Sequence, residues 1–139
     1  MENQDIVTKD IIDDICVKTL GAKIFDMLNK VVNKDKIKAL NELDQLLMLK
    51  EPIVKIYIML YKQIKQMYMI KYLKIKGETD ISKILGVHPF VFRNLSIASD
   101  KYSLQKLKDL IYMFDQYDEK TKFGEMDFEL GLKKIIASM

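Results

Sequence analysis

The chain has 139 residues, of which 49% are apolar and 31% charged, so it is long enough to bury a core and is not a disordered segment. A single cysteine, Cys16, excludes an internal disulfide and suits a reducing cytoplasm, where we expect the protein to reside. The net charge of +3 does not by itself indicate a nucleic-acid partner, and the longest uncharged apolar run, residues 56–61, is too short to span a membrane.

Apolar residues recur at helical spacing from the start of the chain. Thr8 can cap a first helix, which Gly21 ends or bends. A second helical repeat stops at residues 33–35, where Asp35 can cap the next helix. The apolar stripe predicted for that helix consists of Ile37, Leu40, Leu43 and Leu47.

Pro52 opens the longest predicted helix, which runs to about residue 76 and is closed by Gly77. It is apolar over most of its circumference, which is typical of a helix at the centre of a bundle or at an interface. Its lysines predict a solvated face, with a phosphate-facing surface as the alternative. Four tyrosines of this helix are candidates for such an interface: Tyr57, Tyr61, Tyr68 and Tyr72.

Residues 80–94 predict two short helices joined by a tight turn, capped at Asp80 and separated by Gly86. Pro89 suits the first position of the second helix, and His88 beside it has a capping or packing role. Such a pair is a helix-turn-helix, an element that can read DNA. The second helix begins with apolar residues, however, and Arg93 is the only arginine in the chain.

This pattern favours packing against protein, with Phe90 or Phe92 buried, and leaves a DNA-binding regulator as the alternative. The residues to which we assign a structural role in turns are Gly86, His88, Pro89, Phe90 and Gly124.

Two further helices complete the chain, capped by Ser103 and Asp127 and separated by a break at Gly124. No strand pattern of period two persists. The sequence therefore predicts an all-α helical bundle of about seven or eight helices that contains a helix-turn-helix-like pair.

The break between the last two helices combines cations with an aromatic ring: Lys120, Lys122 and Phe123. A ring beside lysines can stack on an unpaired DNA base, so these three residues are candidates for DNA contact. The alternative is that Phe123 packs inside the bundle.

Catalytic chemistry is hard to assemble from this chain. Cys16 has no histidine near it in sequence, and no glycine-rich phosphate-binding motif is present. Asp115 and Glu119 lie one helical turn apart and could hold a cation, but a solvated acidic edge near Lys120 is favoured. We therefore expect no catalytic residue, no metal and no cofactor.

Several motifs, in this order, resemble the C-terminal part of the delta subunit of the bacterial DNA polymerase III clamp loader. They are LGVHPFVFRN at residues 85–94, then Ala98, then Tyr102-Ser103-Leu104, then the loop at residues 118–127. Glu51-Pro52, which opens the long helix, also fits, and the resemblance runs from about Ile6 to the end.

The resemblance implies that residues 1–20 are the end of a preceding lid domain or a linker helix. Residues 21–139 would form the helical collar, an oligomerisation domain. Its partners would be the other clamp-loader subunits in a hetero-oligomeric ring, with primed DNA bound weakly in isolation and no membrane. Contacts with the sliding clamp would lie only in an N-terminal module.

The implied function is to support loading of the sliding clamp onto primed DNA during replication. The chain would catalyse nothing, because catalysis by this nucleotidyltransferase assembly lies in other subunits. Phe123 and Lys133 depart from the family pattern, which usually has a small residue and a glutamate at these positions. A subunit of a ring should also expose at least one apolar patch.

Overall fold

The computed structural model describes residues 20–139, and every regular element in this part of the chain is an α-helix. Helix α1 covers residues 20–32. It is followed by α2 (Lys36–Met48), α3 (Ile53–Ile75), α4 (Ile81–Leu85), α5 (Pro89–Ser99), α6 (Leu104–Lys122) and α7 (Phe128–Ser138). The all-α bundle is confirmed, while the helix predicted from Thr8 lies outside the described residues. Within them, no helix combines the length and the apolar character needed to cross a membrane.

Helix α3 lies at the centre of the bundle and packs against α4, α5, α6 and α7. It begins after Pro52 and ends before Gly77, as predicted, and Gly77 has the positive φ of +78° that favours glycine. One face of α3 is buried along its whole length through Ile56, Tyr57, Leu60, Ile64, Met67 and Ile70.

Four aromatic rings join α3 to the two C-terminal helices. The Tyr57 ring meets Phe114 edge-to-face at 5.1 Å and Phe128 at 5.0 Å between centroids, and Tyr61 meets Phe114 at 5.1 Å. The Tyr57 hydroxyl donates a hydrogen bond to the Phe114 carbonyl. Edge-to-face pairs stabilise by about 0.5–1.5 kcal/mol beyond the area they bury, so this cluster orients α6 and α7 on α3.

Local signals in the sequence set most helix ends. The Asp35 carboxylate accepts from the Lys38 N–H at 3.3 Å, the Ser103 hydroxyl from the Lys106 N–H at 3.0 Å, and the Asp127 carboxylate from the Leu130 N–H at 2.7 Å. These three predicted N-caps are confirmed. Each satisfies a backbone donor that the first turn of a helix leaves without a partner.

The prediction for Asp80 is wrong in its mechanism. Asp80 does stand at the start of α4, but its backbone is left-handed (φ +55°) and its side chain makes no capping hydrogen bond. An αL residue does not present its carboxylate to the first turn as an extended one does, so α4 begins without a side-chain cap.

Gly21 lies inside α1 and does not end it. A Cβ at this position would come within 3.4 Å of the Met59 methyl group, and the Gly21 carbonyl accepts a hydrogen bond from the Gln63 amide at 3.3 Å. Gly21 thus contacts α3 through its carbonyl, and α1 runs across the predicted domain boundary at residue 20. That boundary stays a prediction.

The apolar stripe predicted for α2 is wrong in part. Leu43 is buried as expected, but Ile37 is 76% exposed, and Ala39 and Leu46 enter the core in its place. Two stripes at helical spacing overlap at Leu43, and the packing of α2 on α7 determines which of them is buried.

Candidate subunit-interface and nucleic-acid surfaces

The four tyrosines proposed for subunit contacts occupy different environments. Tyr57 is 3% exposed and its ring contacts both Phe114 and Phe128. Its hydroxyl donates a hydrogen bond to the Phe114 carbonyl. Burial, followed by the nearby charges of Asp118 and Asp115, raises the pKa of Tyr57. Its assignment as an interface residue is therefore wrong, because a side chain buried in this domain offers nothing to a neighbour.

Tyr61 lies at the edge between α3 and α6. Its hydroxyl donates to the Asp115 carboxylate at 2.8 Å, and the Lys65 ammonium lies 5.3 Å from its ring centroid. Burial, and then the hydrogen bond to Asp115, raise the pKa of Tyr61 to about 12. The ring is half-buried, so one side remains open to a partner.

Tyr68 and Tyr72 are half-buried and stack on each other, with centroids 6.3 Å apart and planes 19° from parallel. The Lys76 ammonium lies 5.0 Å from the Tyr72 centroid. Aromatic rings held in this way present a flat, ordered surface with cations beside it. Whether Tyr61, Tyr68 and Tyr72 contact other subunits stays a prediction.

Apolar side chains also point outward on several helices. On α3 the exposed ones include Ile58 (59%) and Ile75 (64%), and on α5 they include Phe90 and Ile97. Large apolar side chains are therefore exposed on several helices of residues 20–139, and the expectation that they form a contiguous patch stays a prediction.

The loop after α6 presents its aromatic ring to solvent. Phe123 is 73% exposed, so the alternative that it packs inside the bundle is wrong. Lys122 pairs with Asp118 at 3.1 Å, and the Lys120 ammonium lies 5.8 Å from the Tyr117 ring centroid. Gly124 follows with φ +74°, which confirms the predicted turn.

A groove lies beside this loop, at the end of the bundle where the α2–α3 and α6–α7 connections meet. The residues that line it are Leu47, Glu51, Ile53, Thr121, Met126, Asp127, Phe128 and Glu129. Met48 and Leu49, at the end of α2, are 82% and 63% exposed. The sequence reasoning missed this pair, although two large apolar residues directly before Lys50 at a helix end were a usable signal.

The helix-turn-helix-like pair is built as predicted at its turn. Gly86 ends α4 with φ +68°, Pro89 is the first residue of α5, and the His88 ring nitrogen Nδ1 accepts from the Phe90 N–H at 3.1 Å. The capping role of His88 is thus confirmed. Phe92 packs half-buried against the core, whereas Phe90 is 66% exposed.

Phe90 does not pack against this domain because α5 turns its Leu95 and Ala98 face toward α3. Arg93 is exposed on the outer side of α5. Across residues 20–139, no three His, Cys, Asp or Glu side chains are grouped as metal ligands would be. Cys16 lies outside the described residues.

The described residues thus form a helical bundle with a largely aliphatic core and with apolar and aromatic side chains on its surface. Residues 21–139 match the model of the DNA polymerase III delta subunit, C-terminal domain, and the chain belongs to this family. The sequence-based resemblance to that family is confirmed.

Two relatives support the assignment. The chain is 24% identical over 139 residues to DNA polymerase III subunit delta of Bacillus subtilis (strain 168), covering 99% of this chain and 40% of that protein. It superposes on the solved structure of a Bacillus subtilis DNA clamp loader delta protein with a TM-score of 0.78 and 27% identity, over 85% of this chain and 35% of the other. The chain therefore spans less than half the length of either relative.

Proposed function

We propose that this domain joins a delta subunit to the other clamp-loader subunits in a ring-shaped collar, and that it supports loading of the sliding clamp onto primed DNA. Residues 21–139 are the collar domain in this proposal, and residues 1–20 are the end of a lid domain or a linker helix. The domain takes no catalytic part. The family membership and the relative titled as a clamp loader delta protein support the proposal.

The observation that carries the proposal is the distribution of exposed apolar side chains. They lie on separate parts of the domain, including Ile58 on the outer side of α3, Phe90 on α5, and Met48 at the end of α2. A subunit within a ring meets two different neighbours through two different faces. Exposed apolar surface on more than one face is what such a position requires.

Reconstitution tests this function. The purified chain is mixed with the remaining clamp-loader subunits of the same organism, and the assembly is followed by sedimentation velocity. We expect one copy of the chain to enter a complex larger than any single subunit. A chain that sediments as a monomer in the presence of all the other subunits, at micromolar concentrations, contradicts the proposal.

We also propose that Phe123, with Lys120 and Lys122, contacts an unpaired base of primed DNA. The exposed ring, two adjacent lysines and the turn at Gly124 support this assignment. Stacking of one base on an aromatic side chain contributes roughly 1–3 kcal/mol, and the lysines add a salt-dependent attraction for phosphates.

A single-stranded DNA titration of Phe123→Ala tests the contact, with Phe90→Ala as the matched control because Phe90 is similarly exposed at 66%. We expect Phe123→Ala to weaken binding by roughly tenfold or more, in line with the loss of one stacked base. Equal affinity for the wild type and for Phe123→Ala ends the stacking hypothesis.

The alternative of a helix-turn-helix regulator has less support. The exposed start of α5 is apolar, with Phe90 and Val91 at its surface, whereas a recognition helix needs donors that reach base edges. A duplex titration of Arg93→Ala separates the two functions: a regulator loses affinity, and a collar domain does not.

A further inference from the structure

The outer side of α3 carries a second apolar seam, separate from the face buried in the core. Its positions follow one another at alternating intervals of four and three residues, which is the spacing of a helix that pairs with another helix. We call this set the outer seam. Its members are Val54, Ile58, Tyr61, Lys65, Tyr68, Tyr72 and Ile75.

The seam is accessible within the described part of the chain. Val54, Ile58 and Ile75 are 42%, 59% and 64% exposed, and the three tyrosines are half-buried. Helix α3 has 23 residues, so at 1.5 Å per residue the seam runs for about 30 Å, or six turns. That length suits a partner helix better than a short loop.

The charged side chains that α3 itself contributes to the seam are all positive. Helix α3 contains no aspartate or glutamate, while Lys62, Lys65 and Lys76 are exposed on or beside the seam. Lys65 occupies a seam position itself, and Lys62 and Lys76 follow Ile58 and Tyr72 by one turn. The carboxylates near the seam come from outside α3: Asp115 of α6 accepts from Tyr61, Asp118 of α6 lies near it, and Glu78 lies near Lys76.

We propose that the outer seam binds an acidic amphipathic helix from another clamp-loader subunit. That helix would have apolar residues against the seam and carboxylates facing Lys62, Lys65 and Lys76. The inference rests on the proposed collar function and adds the face and the chemistry of the partner. A charged residue at one seam position selects the register and partner of a helix pair at a cost in stability, and Lys65 has that role here.

Charge complementarity favours this occupant over two others. A second copy of α3 would bring the same lysines together with no carboxylate on either helix to neutralise them. Nucleic acid would leave six apolar or aromatic seam positions facing a phosphate backbone, with only four exposed lysines on or next to α3 to hold it.

The test uses the chain and the other clamp-loader subunits, with assembly measured by sedimentation velocity. One variant, Lys62→Glu/Lys65→Glu, reverses the charge of the seam, and a second, Ile58→Ser, removes an apolar contact. The control for the first is Lys101→Glu/Lys108→Glu, which makes the same charge change at exposed positions elsewhere. The control for the second is Ile84→Ser, since Ile84 is 55% exposed on α4, a helix assigned to no neighbour.

We expect both seam variants to weaken assembly at least tenfold, because the new glutamates repel the acidic partner helix and the serine removes an apolar contact with it. Both controls should leave assembly within about twofold, because they lie outside the interface. Wild-type and seam variants that assemble equally overturn the seam assignment and leave the collar function standing. A wild-type chain that does not assemble overturns the collar function and the seam together.

Three more results would each contradict the inference. If Lys62→Glu/Lys65→Glu lowers the melting temperature of the isolated chain, the seam lysines already have partners within this chain and the seam is not a free surface. If the isolated wild type dimerises and Ile58→Ser prevents this, the occupant is a second copy. If the charge reversal abolishes DNA binding and not assembly, the occupant is nucleic acid.

Discussion

The two sides of α3 are both apolar and serve different purposes. The inner side buries Ile64 and Tyr57, without a charged residue among its buried positions, and the one polar group of Tyr57 is matched to a backbone carbonyl. The outer side has Ile58 exposed at 59% and places lysines between its apolar residues. Apolar content alone therefore does not reveal which side of a central helix holds the fold.

The largest expected effect comes from the inner side, at Phe114. Its ring is fully buried and meets both Tyr57 and Tyr61 edge-to-face. Phe114→Ala removes these contacts and leaves a cavity, so we expect the free energy of unfolding to fall by about 3–5 kcal/mol in urea titrations. The control is Tyr112→Ala on the same helix, where the ring is 62% exposed and the loss should be below about 1 kcal/mol. Equal losses would contradict the assignment of the core.

A smaller loss of stability is expected when a hydroxyl group of α3 is removed, and its size should differ between Tyr57 and Tyr61. Tyr57→Phe leaves the buried Phe114 carbonyl without its side-chain donor, and we expect a loss of about 1 kcal/mol in the free energy of unfolding. Tyr61→Phe removes a hydrogen bond to the exposed Asp115, where water can replace the hydroxyl, so its loss should be within about 0.5 kcal/mol. A larger loss for Tyr61→Phe than for Tyr57→Phe would contradict the conclusion that Tyr57 has the more buried hydroxyl.

Alkaline pH probes the buried phenols as a group. Burial raises the pKa of Tyr102 to about 12, and the pKa of Tyr61 is raised to about 12 as well. A phenol of the unfolded chain ionises near pH 10, so between pH 10 and 12 the folded state binds more protons and stability falls as the pH rises.

Between pH 10 and 12, we expect the free energy of unfolding to fall less steeply with pH for Tyr102→Phe than for the wild type. Between pH 7 and 9, the two proteins should show the same dependence on pH. The measurement is the urea midpoint as a function of pH. Parallel curves for the two proteins from pH 9 to 12 would show that the Tyr102 phenol is not protected by burial.

The smallest effect is expected on the outer side. Ile58→Ser should change the free energy of unfolding of the isolated chain by less than about 0.5 kcal/mol, because the side chain is 59% exposed and serine and isoleucine have similar helix propensities. The buried counterpart is Ile64→Val, for which removal of one methylene should cost about 0.5–1.5 kcal/mol. A larger loss for Ile58→Ser would mean that the outer side also holds the fold.

The sequence by itself determined the features that depend on neighbouring residues in the chain. The caps at Asp35, Ser103 and Asp127 and the turn at Gly86 were predictable, because a cap or a left-handed turn needs only a few adjacent residues. The order of the motifs also identified the family, which the match over residues 21–139 confirms.

Only the tertiary structure decided which side of each helix is buried. Ile37 and Ala39 compete for the core side of α2, and Tyr57 and Tyr61 lie one turn apart on α3, yet one member of each pair is buried and the other is not. The choice depends on helices that are distant along the chain: α7 for α2, and α6 with α7 for α3. Periodicity specifies that an apolar face exists, and packing against those distant helices selects which residues compose it.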